Sequence, residues 1–180
     1  SDLVKLRLAE GLRPLVVCSA LSGISDRLEA LVEASLRGDH EEILAEIRQR
    51  HLSLAGDLEV EGRALLEQEL LALERLATGI SLTGECPPRL KARLMATGEL
   101  MSTRLGAAFL QRLGLPVHWW DARELLQSLE APEDTAQRRY LSACCATDPD
   151  PALQERMATA EAVHLTQGFI ASNAQGETVL

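Results

Sequence analysis

Leu15-Val16-Val17-Cys18-Ser19-Ala20-Leu21-Ser22-Gly23-Ile24-Ser25-Asp26 is the stretch on which the fold turns. Leu15 to Ser19 opens with an apolar run bounded by Pro14 and by small residues. Its length and its β-branched pair, Val16 and Val17, indicate a buried strand. From Ser25 the period changes. Leu28, Leu31, Val32, Ser35 and Leu36 recur at helical spacing, and Gly38 closes the helix. A strand that feeds a helix through a loop of small and hydroxyl residues is the building unit of an α/β fold.

Downstream, Asp39 followed by Glu42 has the form of a capping box. The helix it introduces carries Ile43, Leu44, Ile47, His51 and Leu54 on one face. A further helix over about 60–79 aligns Leu66, Leu70, Leu73, Ala77 and Ile80. After Cys86-Pro87-Pro88 a helical pattern runs from about 88 to 113, with Leu94, Met101, Leu105, Ala108 and Phe109 on one face. Gly98 lies inside it, which leaves one kinked helix or two helices open. Gly114 and Pro116 end the pattern.

Val117 to Trp120 reads as a second buried strand, with Trp119 and Trp120 on opposite faces, and Asp121 caps a short helix to Leu126. Residues 127–138 read as loop, Tyr140 to Cys145 as a short strand, and Asp150-Pro151 as the start of a helix to about Glu161. Val163 to Ala171 reads as a strand, Ser172 to Gly176 as a turn, and Glu177 to Leu180 as a returning strand. Upstream, residues 2–11 read as a helix stopped at Gly11. Strands separated by helices imply a largely parallel sheet. The helices over about 26–85 form an insertion beside it.

The composition narrows the function. The chain has 180 residues, 46% of them apolar and 3% aromatic, which suits one domain with an aliphatic core. Its 18 basic and 27 acidic residues give a net charge of -9. That balance argues against nucleic acid or an anionic membrane as the main partner. No leader-like segment and no apolar run of membrane-spanning length is visible. Cys18, Cys86, Cys144 and Cys145 fit no zinc pattern and read as reduced thiols of a cytoplasmic protein. No metal-ligating set stands out.

Four segments could carry chemistry. Ser19 to Ser25 links a strand to a helix N-terminus, where free N–H groups and the helix dipole suit a carboxylate or phosphate. Taken alone, it reads first as a capped strand-to-helix turn. Gly98-Glu99-Leu100-Met101-Ser102 could set one carboxylate at a cleft to hold an ammonium group, or a solvated Glu on a helix. The stretch Gly114 to Leu125 reads as packing, with His118 a structural histidine. Thr166-Gln167-Gly168-Phe169-Ile170-Ala171 and the turn at Asn173 to Thr178 read as a strand and its return.

Together, in this order, the four segments resemble aspartate kinases (aspartokinases) of the amino-acid-kinase family. Val16 to Asp26 is similar to the family's V-V-x-S-A-x-x-G-[IV]-[ST]-[ND] strand and loop, and Gly98 to Ser102 to its G-E-x-x-S helix. Trp119 to Arg123 is similar to its strand ending in D-[AV]-R, and Thr166 to Thr178 to its T-x-G-F-I strand and G-x-T turn. The middle helices match in pattern only. Leu21 departs from relatives that carry a hydroxyl or another small residue.

The resemblance implies a three-layer αβα sandwich of the amino-acid-kinase type, present here in its N-terminal, substrate-side part. It implies transfer of the ATP γ-phosphate to the side-chain carboxylate of L-aspartate, the first step toward lysine, threonine and methionine. ATP and Mg2+ would act in the complete enzyme, and a homo-oligomer is compatible with it. Ser19 and Ser25 would serve the aspartate and phosphate site, and Glu99 would contact the substrate amino group. The family's Lys-Phe-Gly-Gly-Thr-Ser and Gly-Arg-Gly-Gly-Ser-Asp loops fall outside these residues, so no catalytic residue is assigned and the chain alone is expected to be inactive. Within the family, the subgroup fused to a diaminopimelate decarboxylase is the one suggested. Another kinase of the same fold and a non-catalytic helical binding module are the competing readings.

Overall fold

The computed structural model describes residues 1–158 and 163–180. The chain begins with helix α1 (Asp2–Ala9), which Gly11 ends at a positive φ of 76°. Strand β1 (Leu15–Cys18) follows, then helices α2 (Ile24–Arg37), α3 (Glu41–Asp57), α4 (Gly62–Thr83) and α5 (Pro88–Arg112). Strand β2 (Val117–Trp119) and the short helix α6 (Ala122–Leu125) come next. The remainder comprises β3 (Ser128–Leu129), α7 (Ala136–Leu141), β4 (Cys144–Cys145), α8 (Pro151–Ala158), β5 (Val163–Gln167), β6 (Ala171–Ser172) and β7 (Thr178–Val179).

The central sheet has the order β1-β5-β2 and is parallel throughout, with Val16 opposite Leu165 and His118 opposite His164. Strand alternation sorts its side chains between two layers of helix. Val163 and Leu165 face α5, where they pack with Leu110, Phe109 and Val117. His118, Trp120 and His164 face the other way, toward α8, whose Arg156 lies 5.3 Å from the centre of the Trp120 ring. The α/β fold with a parallel sheet and helices on both faces is therefore present, and the two tryptophans do project to opposite faces.

The largest apolar core lies between α2, α3, α4 and α5. Leu28, Leu31, Ile47, Leu66, Leu73, Ile80, Leu94, Met101 and Leu105 are fully buried there. All five aligned residues of α4 belong to it, as 3.6-residue periodicity requires.

Several local expectations are corrected. Gly98 does not divide the long helix, because α5 runs unbroken for 25 residues. The bare Cα is there for packing: a Cβ would stand 2.9 Å from Leu28 Cδ1 and 3.2 Å from both Ala20 Cβ and Ile24 Cγ2. The proposed capping box does not form. Helix α3 starts at Glu41 behind His40, without a side-chain cap bond, and Asp39 pairs with Arg37. The supposed loop contains β3 and the first residues of α7, and α7 takes up Tyr140 and Leu141, which had read as strand. Thr135 caps α7 through its side chain, so a polar stretch held a helix start. Strand β5 ends at Gln167, and Ala171 instead begins β6, paired antiparallel with β7. The expected end of α8 near Glu161 lies outside the described residues.

Candidate functional site

The first side chain of the site follows from the end of β1. Hydrogen bonding along the sheet stops at Cys18, and the chain turns through Ser19 to Gly23, whose positive φ of 78° starts α2. Ser25 then lies in the first turn of α2, where backbone N–H groups have no partner within the helix. Both serines are exposed.

Helix α5 brings the carboxylate. The missing Cβ of Gly98 lets α5 approach Ala20 and Ile24 closely, and Glu99 is carried to the end of β1. Ser19 Oγ donates to Glu99 Oε1 at 3.1 Å. The backbone N–H of Phe169, just past β5, donates to Glu99 Oε2 at 2.9 Å. Ser102 Oγ donates to the Ser19 carbonyl at 2.7 Å and so fastens the loop to α5. Glu99 is only 6% exposed, and among the described residues no arginine or lysine forms an ion pair with it.

These groups line a cavity of about 280 Å3, with Ala20, Met95, Ile170 and Leu180 as its apolar walls and Phe169 at its rim. Small-molecule sites run from about 300 to 1,000 Å3. The volume suits an amino-acid-sized ligand rather than a nucleotide. Ser19, Ser25 and Glu99, the three residues singled out from sequence, all line this one cavity. A cleft of the same volume lies on α3 and α4, between Arg48, Leu52, Arg63, Glu67, Leu70 and Leu71. It does not contain the three singled-out residues, and Arg48 is paired with Glu74.

Two contributors escaped the sequence reading. Phe169 acts through its amide, which no side-chain pattern reveals. Ser102 stood in the quoted motif without a role, although its i+3 spacing from Glu99 puts both on one face of a helix. The Asp-Ala-Arg segment supports the site from behind. Asp121 caps α6, accepting from Arg123 N at 3.0 Å, Nε at 2.9 Å and Nη2 at 2.5 Å, while Arg123 Nη1 reaches Thr178 Oγ1 at 3.3 Å. Burial alone would raise the Asp121 pKa, but the hydrogen bonds and charge of Arg123 outweigh it and hold the carboxyl below its ordinary value. His118 is exposed and lies tilted against Trp120, with ring centres 4.1 Å apart and planes at 41°, and it does not line the cavity.

Cys18, Cys86, Cys144 and Cys145 are unpaired. Burial, with a smaller push from the Glu99 charge, raises the Cys18 pKa and keeps it a thiol. The cavity wall holds a single carboxylate, and no group of three possible metal ligands occurs among the described residues. These side chains do not by themselves fit a magnesium ion. No helix among the described residues is long and apolar enough to cross a membrane.

No protein-family model matches the chain. It is 31% identical over 173 residues to lysine-sensitive aspartokinase 3 of Escherichia coli, a match covering 91% of this chain and 35% of that one. It is 34% identical over 121 residues to the E. coli bifunctional aspartokinase/homoserine dehydrogenase 2, covering 67% of this chain and 14% of that one. The crystal structure of E. coli aspartokinase III in complex with aspartate and ADP superposes with a TM-score of 0.74 at 28% identity, covering 98% of this chain and 38% of that one. The chain thus has the fold of an aspartokinase and is similar to aspartokinases over almost all its length, while spanning about a third or less of theirs.

Proposed function

We propose that this chain is the aspartate-binding part of an aspartate kinase domain, in a protein that transfers the ATP γ-phosphate to the side-chain carboxylate of L-aspartate. One observation carries the reading. Glu99 is a buried carboxylate held by two donors and left without a counter-charge among the described residues. Burying an unpaired charge costs several kcal/mol, and a ligand ammonium in the cavity would remove that cost. Opposite it, the Ser25 hydroxyl and the N-terminus of α2 are suited to a carboxylate or a phosphoryl oxygen. An amino acid carrying a second carboxylate meets both demands.

The residues divide the work accordingly. Glu99 would hold the α-ammonium and set the orientation of the substrate. Ser19 would donate to Glu99 and accept from the ligand ammonium, and Ser25 would donate to the anionic end. Holding the reacting carboxylate still is what positioning contributes to phosphoryl transfer. ATP would bring the phosphoryl group and magnesium would accompany it, in the complete enzyme and through residues other than these. On this reading 1–180 is a partial amino-acid-kinase domain with a helical insertion over about 26–85. The protein is cytoplasmic and acts in lysine biosynthesis, and a homo-oligomer is compatible with this reading. A diaminopimelate decarboxylase fusion belongs to the same proposal, although the bifunctional relative above carries a homoserine dehydrogenase.

The test is aspartate-dependent ADP formation by the full-length protein, against a panel of amino acids. Aspartate is expected to lead the panel. Glu99→Ala should raise the aspartate concentration required by about 10- to 100-fold, the worth of a hydrogen bond to a charged group. Unchanged aspartate kinetics would remove Glu99 from the site. A preference for another amino acid would favour a different kinase of the same fold, and no turnover with aspartate bound nowhere would favour a non-catalytic module.

A further inference from the structure

We infer that Gln167 is a positioning residue for the Glu99 carboxylate, an inference that rests on the proposed aspartate site. Gln167 ends β5 and points at α5, and it is only 2% exposed. Every hydrogen of its amide is used. Oε1 accepts from the Ala122 N–H at 2.7 Å, and Nε2 donates to Thr103 Oγ1 at 2.8 Å and to the Trp120 carbonyl at 3.2 Å. Ala122 N–H can only donate and the Trp120 carbonyl can only accept, so the amide has one allowed orientation. Gln167 therefore joins three elements, β5, α5 and the turn into α6.

The junction closes a ring around one residue. Thr103 Oγ1 accepts from Gln167 and from Trp119 Nε1, at 2.8 and 3.0 Å, and donates to the backbone carbonyl of Glu99 at 2.8 Å. Its hydroxyl hydrogen and both its lone pairs are thereby engaged. Two residues beyond Gln167, the Phe169 N–H holds Glu99 Oε2. Gln167 thus fixes the backbone of Glu99 through Thr103 and the carboxylate through Phe169. If the amide is lost, the end of β5 is free to move relative to α5, and the donor on Oε2 moves with it. The carboxylate then turns away from the ammonium it is built to meet.

The inference separates from ordinary core packing by what the ligand carries. Succinate has the two carboxylates of aspartate and lacks the ammonium group. A packing role would weaken aspartate and succinate alike. A role in aiming Glu99 weakens aspartate alone. In full-length protein, calorimetric titration of Gln167→Met should therefore show aspartate affinity reduced about tenfold, the worth of weakening the one hydrogen bond between Glu99 and the ligand ammonium, with succinate unchanged. Gln167→Leu, which removes the donors without adding a charge, should behave in the same way. An aspartate-to-succinate preference equal to that of the unaltered protein overturns the inference, as does a parallel fall in both affinities. Absence of aspartate binding by the unaltered protein overturns the functional reading and this one together.

A second measurement needs no variant. Among the described residues the Phe169 N–H bonds Glu99 and no backbone carbonyl, so its protection from solvent exchange depends on that bond. Hydrogen exchange should show it protected at a level comparable with the Ala122 amide. Rapid exchange at Phe169 would overturn the inference even if neither variant folds.

Discussion

Replacing Gly98 by alanine adds one methyl group at the closest approach of α5 to the loop between β1 and α2. The new carbon would lie 2.9 Å from Leu28 Cδ1 and 3.2 Å from Ala20 Cβ and Ile24 Cγ2. Carbon atoms rest at about 3.5–4.0 Å, so the loop or α2 must retreat by roughly half an ångström. Two energies compete. Alanine favours a helix interior over glycine by about 1 kcal/mol, whereas overpacking a filled core costs about 1–3 kcal/mol. Leu28 and Ile24 are buried, at 0% and 2% exposure, so neither can swing into solvent. The clash should win, leaving a net loss of about 0–2 kcal/mol. The larger effect is local. Ser19 Oγ lies 3.1 Å from Glu99 Oε1, and a shift of that size takes the bond past useful length. Urea denaturation should give the stability change, and aspartate titration of the full-length protein should show about a tenfold loss. A Gly98→Ala protein that gains about 1 kcal/mol and binds aspartate unchanged would refute the packing argument.

Two further outcomes follow from the core. His51 is fully buried, with Nδ1 2.8 Å from the Ile47 carbonyl and Nε2 without a partner among the described residues. Burial lowers its pKa, the Ile47 bond opposes this, and Arg50 adds to it. The folded value lies below the unfolded one, so its contribution is complete above the ordinary histidine pKa and is lost as pH falls through the lowered value. Urea midpoints should drop in that acid window and the drop should shrink in His51→Leu; an unaltered pH profile in His51→Leu would refute the assignment. Glu69, 7% exposed, meets Arg104 at 2.5 Å while Arg104 covers the Trp119 ring at 4.2 Å. Glu69→Ala should cost about 1–3 kcal/mol, between the values for exposed and buried pairs, and equal urea midpoints would show the pair to be neutral.

Much of the architecture was legible in the chain itself because it depends on local repetition. The 3.6-residue spacing of Leu66, Leu70, Leu73, Ala77 and Ile80 marks a buried helical face whatever its partner. The Val-Val run after Pro14 likewise marks a strand, although Leu15 and Val17 are exposed at 52% and 56% and the expected burial of that strand is not met. The alternation at Trp119 and Trp120 reflects the period of the backbone. Where the signal lay in two residues, as in β3 and β6, no period existed to read. The start of α7 was hidden in a polar stretch for the same reason, since its cap, Thr135, is an ordinary loop residue. At Asp39 the local pattern of a cap was present and the contact with Arg37 prevailed.

By itself the sequence determined which side chains could carry chemistry: a serine-rich turn after a strand, and a carboxylate beside a glycine in a helix. Only the tertiary structure decided that they meet. Ser19 and Glu99 are 80 residues apart in the chain, and Phe169 a further 70 beyond Glu99. Their convergence depends on the close approach that Gly98 permits and on the parallel register that sets Gln167 beside Cys18. Gln167 stood without a role inside the strand read over Val163 to Ala171, because a hydrogen-bond junction is a property of three elements in space. Local pattern fixes the period of each element; the close contacts between elements decide which groups lose water together, and with it where a buried charge calls for a ligand.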